Sequence, residues 1–196
     1  VSAPLIYFHH TGRALEATWK YLIVGSVGIA LALLGTVFLA IAATNPSGGS
    51  TLWIRDLTAA GAHLSKPWLH AAFVLLLMGY GTKMGLAPMH AWKPDAYGEA
   101  PPPVAGLMAG TFTNCAFLGV LRATQICAHA GEAKFASSLL ILLGLVSLAV
   151  AAVFIIGQAD YRRLLAYASV EQMGVLVFGL GFGVLGAQGS LLHVLN

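Results

Sequence analysis

Long apolar runs constrain this chain more than any other feature. Between Trp19 and Ala43 only Lys20 is charged, and roughly 20 apolar residues are what a helix needs to cross a hydrocarbon core about 30 Å thick. Runs of the same kind begin at Trp68, near Pro102, at Phe135 and near Tyr161. In hydrocarbon every backbone N–H and C=O must be satisfied within the structure, so spanning segments are helices or closed barrels, and runs of this length rich in Leu, Ala and Gly favour helices. Composition agrees: 58% of the residues are hydrophobic and 9% charged, against about 25% charged in soluble domains.

The fold class read from these runs is all-α, a polytopic transmembrane helix bundle forming a single domain over residues 1–196 with no separate soluble part. Spans are expected at about 19–43, 68–97, 102–128, 135–157 and 161–183. Residues 1–8 resemble the end of a preceding span and 188–196 the start of a following one, so the chain reads as a piece of a longer bundle. The cluster "TNPSGGS" ends the first span. The second is expected to break near Pro88, which lacks an N–H and clashes with the preceding turn.

A net charge of +3, with no phosphate-cradling glycine loop and no metal-spaced Cys/His cluster, points away from nucleic acid, metal and nucleotide cofactors. Cys115 and Cys127 would lie about 18 Å apart along one helix and cannot bridge each other within it. An even number of crossings separates "HHTGR" from "QADYRR", which puts Arg13, Lys20, Lys93, Arg162 and Arg163 on one side and Arg55, Lys66, Arg122 and Lys134 on the other. That slight excess favours the first side as cytoplasmic.

Lys83 stands out against this background. Fifteen steps from Trp68 carry it roughly 22 Å along a helix, and apolar residues continue past it to Trp92. One reading is a snorkelling lysine with its stem on apolar surface and its ammonium at the headgroups. The other is functional, because an intramembrane cation beside a helix break suggests an ion path through a cavity lined by irregular backbone.

The stretch "KMGLAPMHAWKPDAYGEAPPPV", followed by "QADYRRLLAYASVEQMG", resembles the antiporter-like subunits of respiratory complex I, of energy-converting membrane hydrogenases and of multisubunit sodium/proton antiporters. With "GEAPPPV", "TNCAFLGVLR" and "SVEQMG", it is most similar to the large antiporter-like subunit of hydrogenase-4 and formate-hydrogenlyase complexes. The resemblance implies a subunit of roughly fourteen helices, of which this chain holds the end of the fifth through the start of the eleventh. It implies that Lys83 is the central protonatable lysine of a discontinuous helix and that Lys20 modulates it. The partner glutamate of the fifth helix would precede Val1.

Related subunits often carry Lys or His where this chain has Asn114, whose amide can hold a water and relay by hydrogen bonds without titrating. Thr111, Asn114, Leu118 and Arg122 fall at helical spacing, and the alternative is that Thr111 and Asn114 only bond neighbouring helices. His193 matches the first histidine of the family's eleventh helix, suited to proton relay or to packing. His90, past the break and close in sequence to Asp95, is a candidate cytoplasmic entry group or an interfacial residue. Glu171, about 15 Å into the last complete span, needs a partner from another helix; related subunits often carry Glu here, which implies a polar anchor near the cytoplasmic half-channel, with direct proton carriage as the alternative.

The leading functional reading is a proton-translocating subunit with no redox cofactor of its own, driven by partner membrane subunits of a respiratory or hydrogenase complex in the bacterial inner membrane. A sodium/proton antiporter subunit and a structural subunit with a degenerate channel stay open as alternatives.

Overall fold

The structure is a computed structural model that describes residues 2–43 and 53–195; the breaker cluster "TNPSGGS" lies outside the described residues. The elements are α1 (Ser2–Ile6), α2 (Gly12–Ala42), α3 (Ile54–Ala60), α4 (Lys66–Met84), α5 (Trp92–Glu99), α6 (Pro102–Leu107), α7 (Thr113–His129), α8 (Ala133–Ile156), α9 (Tyr161–Leu180) and α10 (Gly183–Leu195). No strand occurs among the described residues. Among the described residues four stretches are long and apolar enough to cross a membrane: Gly12–Ala42, Pro102–His129, Ala133–Ile156 and Tyr161–Leu180.

Local chemistry sets the helix ends. Thr11 caps α2, its hydroxyl accepting from Ala14 N at 3.1 Å, so the helix begins at Gly12, seven residues before the apolar run. Hydropathy marks where lipid begins, whereas a side-chain cap marks where the first orphan N–H groups are satisfied. Asp160 caps α9 in the same way, accepting from Arg162 N at 2.9 Å. Between α6 and α7 a π turn, Met108–Phe112, keeps the stretch helical but adds a residue to the turn and rotates α7 relative to α6. The polar stripe expected from α-helical spacing is therefore divided: Thr111 lies in the π turn and is exposed, Asn114 is half-buried, and Thr113 is the buried hydroxyl, donating to Ala109 O.

Packing follows small residues, since apolar side chains gain little from leaving lipid and close backbone approach must supply the attraction. α2 lies along α4, where a Cβ on Gly79 would fall 2.6 Å from Ala32 N and one on Gly28 would fall 2.8 Å from Thr82 Cβ. α8 and α9 form a second close pair, with Gly144 against Phe178. α7 packs on α4, α10 on α9, and α5 against both α2 and α9. One core runs through Phe73, Leu76, Phe117, Val120, Leu140 and Val177. A smaller one gathers Tyr21, Trp92, Ala96, Tyr97, Met108 and Ala166 around α5. Ile23, Val27 and Leu33 of α2 and Val153 and Ile156 of α8 face outward, as surfaces that meet lipid or other helices do.

Candidate functional site

The helix carrying Lys83 stops at Met84, ahead of the expected break at Pro88. Gly85 takes the left-handed conformation, φ 76° and ψ 38°, while Leu86 N donates to Gly81 O at 2.9 Å and Gly85 N to Thr82 O at 3.2 Å. This paired arrangement closes a helix C-terminus on a glycine. Pro88 is exposed in the irregular segment beyond Gly85 and does not itself end the helix. The segment is held by Ala87 N, which donates to Ser147 Oγ of α8 at 3.0 Å.

Lys83, one residue before the end of α4, is half-buried. Its Nζ lies 5.2 Å from the centre of the Tyr21 ring, and a Cβ at Gly25 would come within 3.3 Å of it. It lines an open-sided cavity of about 430 Å³ together with Tyr21, Tyr80, Trp92, Phe112 and Cys115. Among the described residues no carboxylate lies within ion-pair distance of it. α7 contributes Cys115 to this cavity and the π turn before it contributes Phe112; Asn114, on an adjacent face, is not part of its lining.

Lys20 is committed elsewhere. Its ammonium bridges Glu16 at 2.7 Å and Asp95 at 2.8 Å, and Asp95 also receives Arg163 of α9. Asp95 thus joins α2, α5 and α9 in a charged cluster that Arg13 and Glu99 extend, 3.7 Å apart. His90 does not join it. Its ring centre lies 6.3 Å from those of Phe154 and Tyr167, and its buried Nδ1 makes no hydrogen bond of ordinary geometry.

Glu171 is half-buried on α9 and forms no ion pair among the described residues, so the partner expected from another helix is not among them. His193, exposed on α10, is hydrogen-bonded to Gln172 of α9. The six candidate residues consequently do not form one contact network: Lys83 stands at its cavity, Lys20 in the charged cluster, and the others on separate faces.

Two side chains that carry no signal in the sequence are central to the break. Trp92 Nε1 donates to Thr82 O at 2.9 Å. Lys93, counted from the sequence among the cations of the cytoplasmic side, is 0% exposed; its Nζ donates to Met84 O at 2.8 Å and to Ser169 O of α9 at 3.3 Å. The correction has a physical origin: Trp-Lys after an apolar run is also what a membrane interface looks like.

A further cluster joins α4 to the α7–α8 connection. Glu132 accepts from Lys66 at 2.7 Å and pairs with His70 at 2.9 Å, and His70 stacks on Phe135 at 4.0 Å. The Lys66 hydrogen bond, then that of His70, holds the Glu132 carboxyl below the usual carboxylate range.

Comparison with known proteins accounts for this architecture. All 196 residues match the family described as NADH:quinone oxidoreductase/Mrp antiporter, TM. A hydrogenase-4 component F homolog of Methylacidiphilum infernorum is 38% identical over 97% of the chain, which covers 40% of that relative. The membrane-bound sulfane sulfur reductase, an archaeal respiratory membrane complex, holds a chain of the same fold, with a TM-score of 0.88 and 23% identity over the whole of this chain and 39% of that one. Respiratory complex I from Thermus thermophilus holds another, with a TM-score of 0.72 and 31% identity over 99% of this chain and 41% of that one. The chain thus spans about two fifths of the relatives that it matches. A helical bundle with four described stretches long and apolar enough to cross a membrane, matched by the family model from end to end, identifies this chain as a member of the NADH:quinone oxidoreductase/Mrp antiporter transmembrane family.

Proposed function

We propose that this chain is the central part of a proton-translocating subunit in which Lys83 is the group that takes up and releases the proton. The observation that carries the reading is the setting of Lys83: a cation at the lip of a helix break, lining a cavity of about 430 Å³, with no carboxylate within reach among the described residues. An ammonium in that position is governed by whatever anion approaches it. A carboxylate brought close stabilises the charged form, and its withdrawal disfavours that form. Lys20 modulates the site through its choice between Glu16 and Asp95, and Arg163 sets how strongly Asp95 competes.

Asn114, next in sequence to the cavity-lining Cys115, serves as a relay, Glu171 is a polar anchor on α9, and His193 and His90 are accessory groups. The driving reaction belongs to partner membrane subunits of a respiratory or hydrogenase complex in the bacterial inner membrane. This chain needs no cofactor of its own for that role. Sodium/proton exchange is a second reading, favoured by the antiporter half of the family description.

Lys83→Met in the full-length protein, within its reconstituted complex, tests the proposal. We expect proton uptake per redox turnover to fall at least about tenfold, since loss of a positioned acid–base group typically costs about 10²–10⁴-fold, with the complex still assembled. Undiminished uptake would remove Lys83 from the path. Uptake that requires sodium in the wild type would select the second reading.

A further inference from the structure

Lys93 is the most enclosed cation of the fold and has no part in the proton reading. Its stem crosses Gly85 so closely that a Cβ there would meet Lys93 Cδ at 2.5 Å. Its ammonium reaches Met84 O at 2.8 Å and Ser169 O at 3.3 Å and lies 5.6 Å from the centre of the Tyr97 ring. An ammonium has three donors and no acceptor, so two carbonyls and an aromatic face account for all three directions. Among the described residues no carboxylate pairs with it. Lys93 therefore binds backbone, at a helix C-terminus whose unpaired carbonyls carry partial negative charge.

Trp92 completes the arrangement. It holds Thr82 O at 2.9 Å while Lys93 holds Met84 O at 2.8 Å. The carbonyls on either side of Lys83 are thus both gripped by consecutive residues at the start of α5. We propose that Lys93 is a positioning residue of the proton path, a backbone clamp that fixes the end of α4, and with it Lys83, relative to α5 and α9. The inference rests on the reading of Lys83 as the proton site. Through Ser169, two residues before Glu171, any shift of α9 is passed to the last carbonyl of α4.

The test uses the full-length protein in its complex with Lys93→Met, which keeps the length of the stem and removes the donors, and Lys93→Gln, which keeps neutral donors. Proton uptake per assembled complex and amide exchange over residues 85–91 are read for each. Lys93→Met should assemble, exchange faster in that segment, and lose about tenfold or more in uptake, because a misplacement near 1 Å can cost up to about 10²-fold. Lys93→Gln should restore both readouts to near the wild-type values, which a bare space-filling role would not require.

Normal uptake and exchange in Lys93→Met would overturn the proposal. So would Lys93→Gln with restored exchange and no uptake, since the titrating proton, and not the clamp, would then be needed. If Lys93→Met fails to assemble, Lys93→Gln decides by the same readouts, and failure of both marks a folding staple and overturns the proposal. Amide exchange does not depend on pumping. Should Lys83→Met pump normally while the Lys93 variants still loosen and re-tighten the break, the proton reading falls and the clamp remains.

Discussion

Lys83 and Lys93 lie on either side of one helix break, ten positions apart in sequence, and their surroundings are opposite. Lys83 is half-buried, opens onto a cavity and meets an aromatic face. Lys93 is 0% exposed and donates to backbone carbonyls of two helices. Depth along the chain does not separate the two. What separates them is the acceptor: carbonyls are fixed and cannot leave, so a lysine bound to them is structural, whereas a lysine facing a cavity responds to whichever group or water enters it. The break thus sets a cation held by backbone carbonyls beside one that lines a cavity.

The largest effect should come from disturbing the glycine that serves both lysines. Gly85→Val places a β-branched residue at φ 76°, costing roughly 1–3 kcal/mol, and drives its side chain into the Lys93 stem at a further cost of about 1–3 kcal/mol for overpacking. The amount of assembled complex, measured by co-purification of the partner subunits, should collapse. Wild-type levels would mean that the ending of α4 at Gly85 does not constrain the fold.

Asp95→Asn comes next. It weakens the links from Lys20 and from Arg163, whose side chains are 45% and 48% exposed. Solvent screening therefore limits the loss to about 1 kcal/mol. Thermal unfolding of the purified complex should shift down by a few degrees, and proton uptake should change in its pH dependence as Lys20 turns wholly to Glu16. A stability loss as large as that of Gly85→Val would make the charged cluster, and not the break, the main support of α5.

The smallest effect lies away from the break, at Glu132. Its carboxyl is held below the usual range by Lys66 and then His70. The contribution is present above the ordinary carboxylate range and is lost as pH falls through the depressed value. Unfolding temperature followed from neutral into acid should show that loss, and Glu132→Gln should flatten the acid limb without altering proton uptake. An unchanged acid limb in Glu132→Gln would place the loss at other carboxylates.

Most of the helices were legible in the sequence because runs near 20 apolar residues leave the backbone few alternatives in lipid. Their starts were less so, since α2 begins where Thr11 can cap it and not where hydropathy rises. In "MGLAP" a glycine and a proline both offer a stop. The proline is the stronger breaker by chemistry, yet the glycine ends the helix, and a Gly at the end of a helical pattern with Pro a few residues beyond is the ordinary stop signal. Lys83 could be singled out by its distance along the apolar run that begins at Trp68. Lys93 could not: the same Trp-Lys pair fits an interfacial anchor, and only the packing of α5 against α2 and α9 encloses it. The Glu132 pairing with His70 crosses 62 residues of chain and leaves no local signature.

The most direct test of the contrast is amine acylation of the assembled, membrane-embedded complex by a small membrane-permeant reagent, with the two lysines resolved by peptide mass spectrometry and proton uptake measured alongside. Lys83 should be modified, uptake should be lost in proportion, and Lys93 should remain unmodified until the complex unfolds. Modification of Lys93 as fast as Lys83, or full modification of Lys83 with uptake intact, would contradict the account.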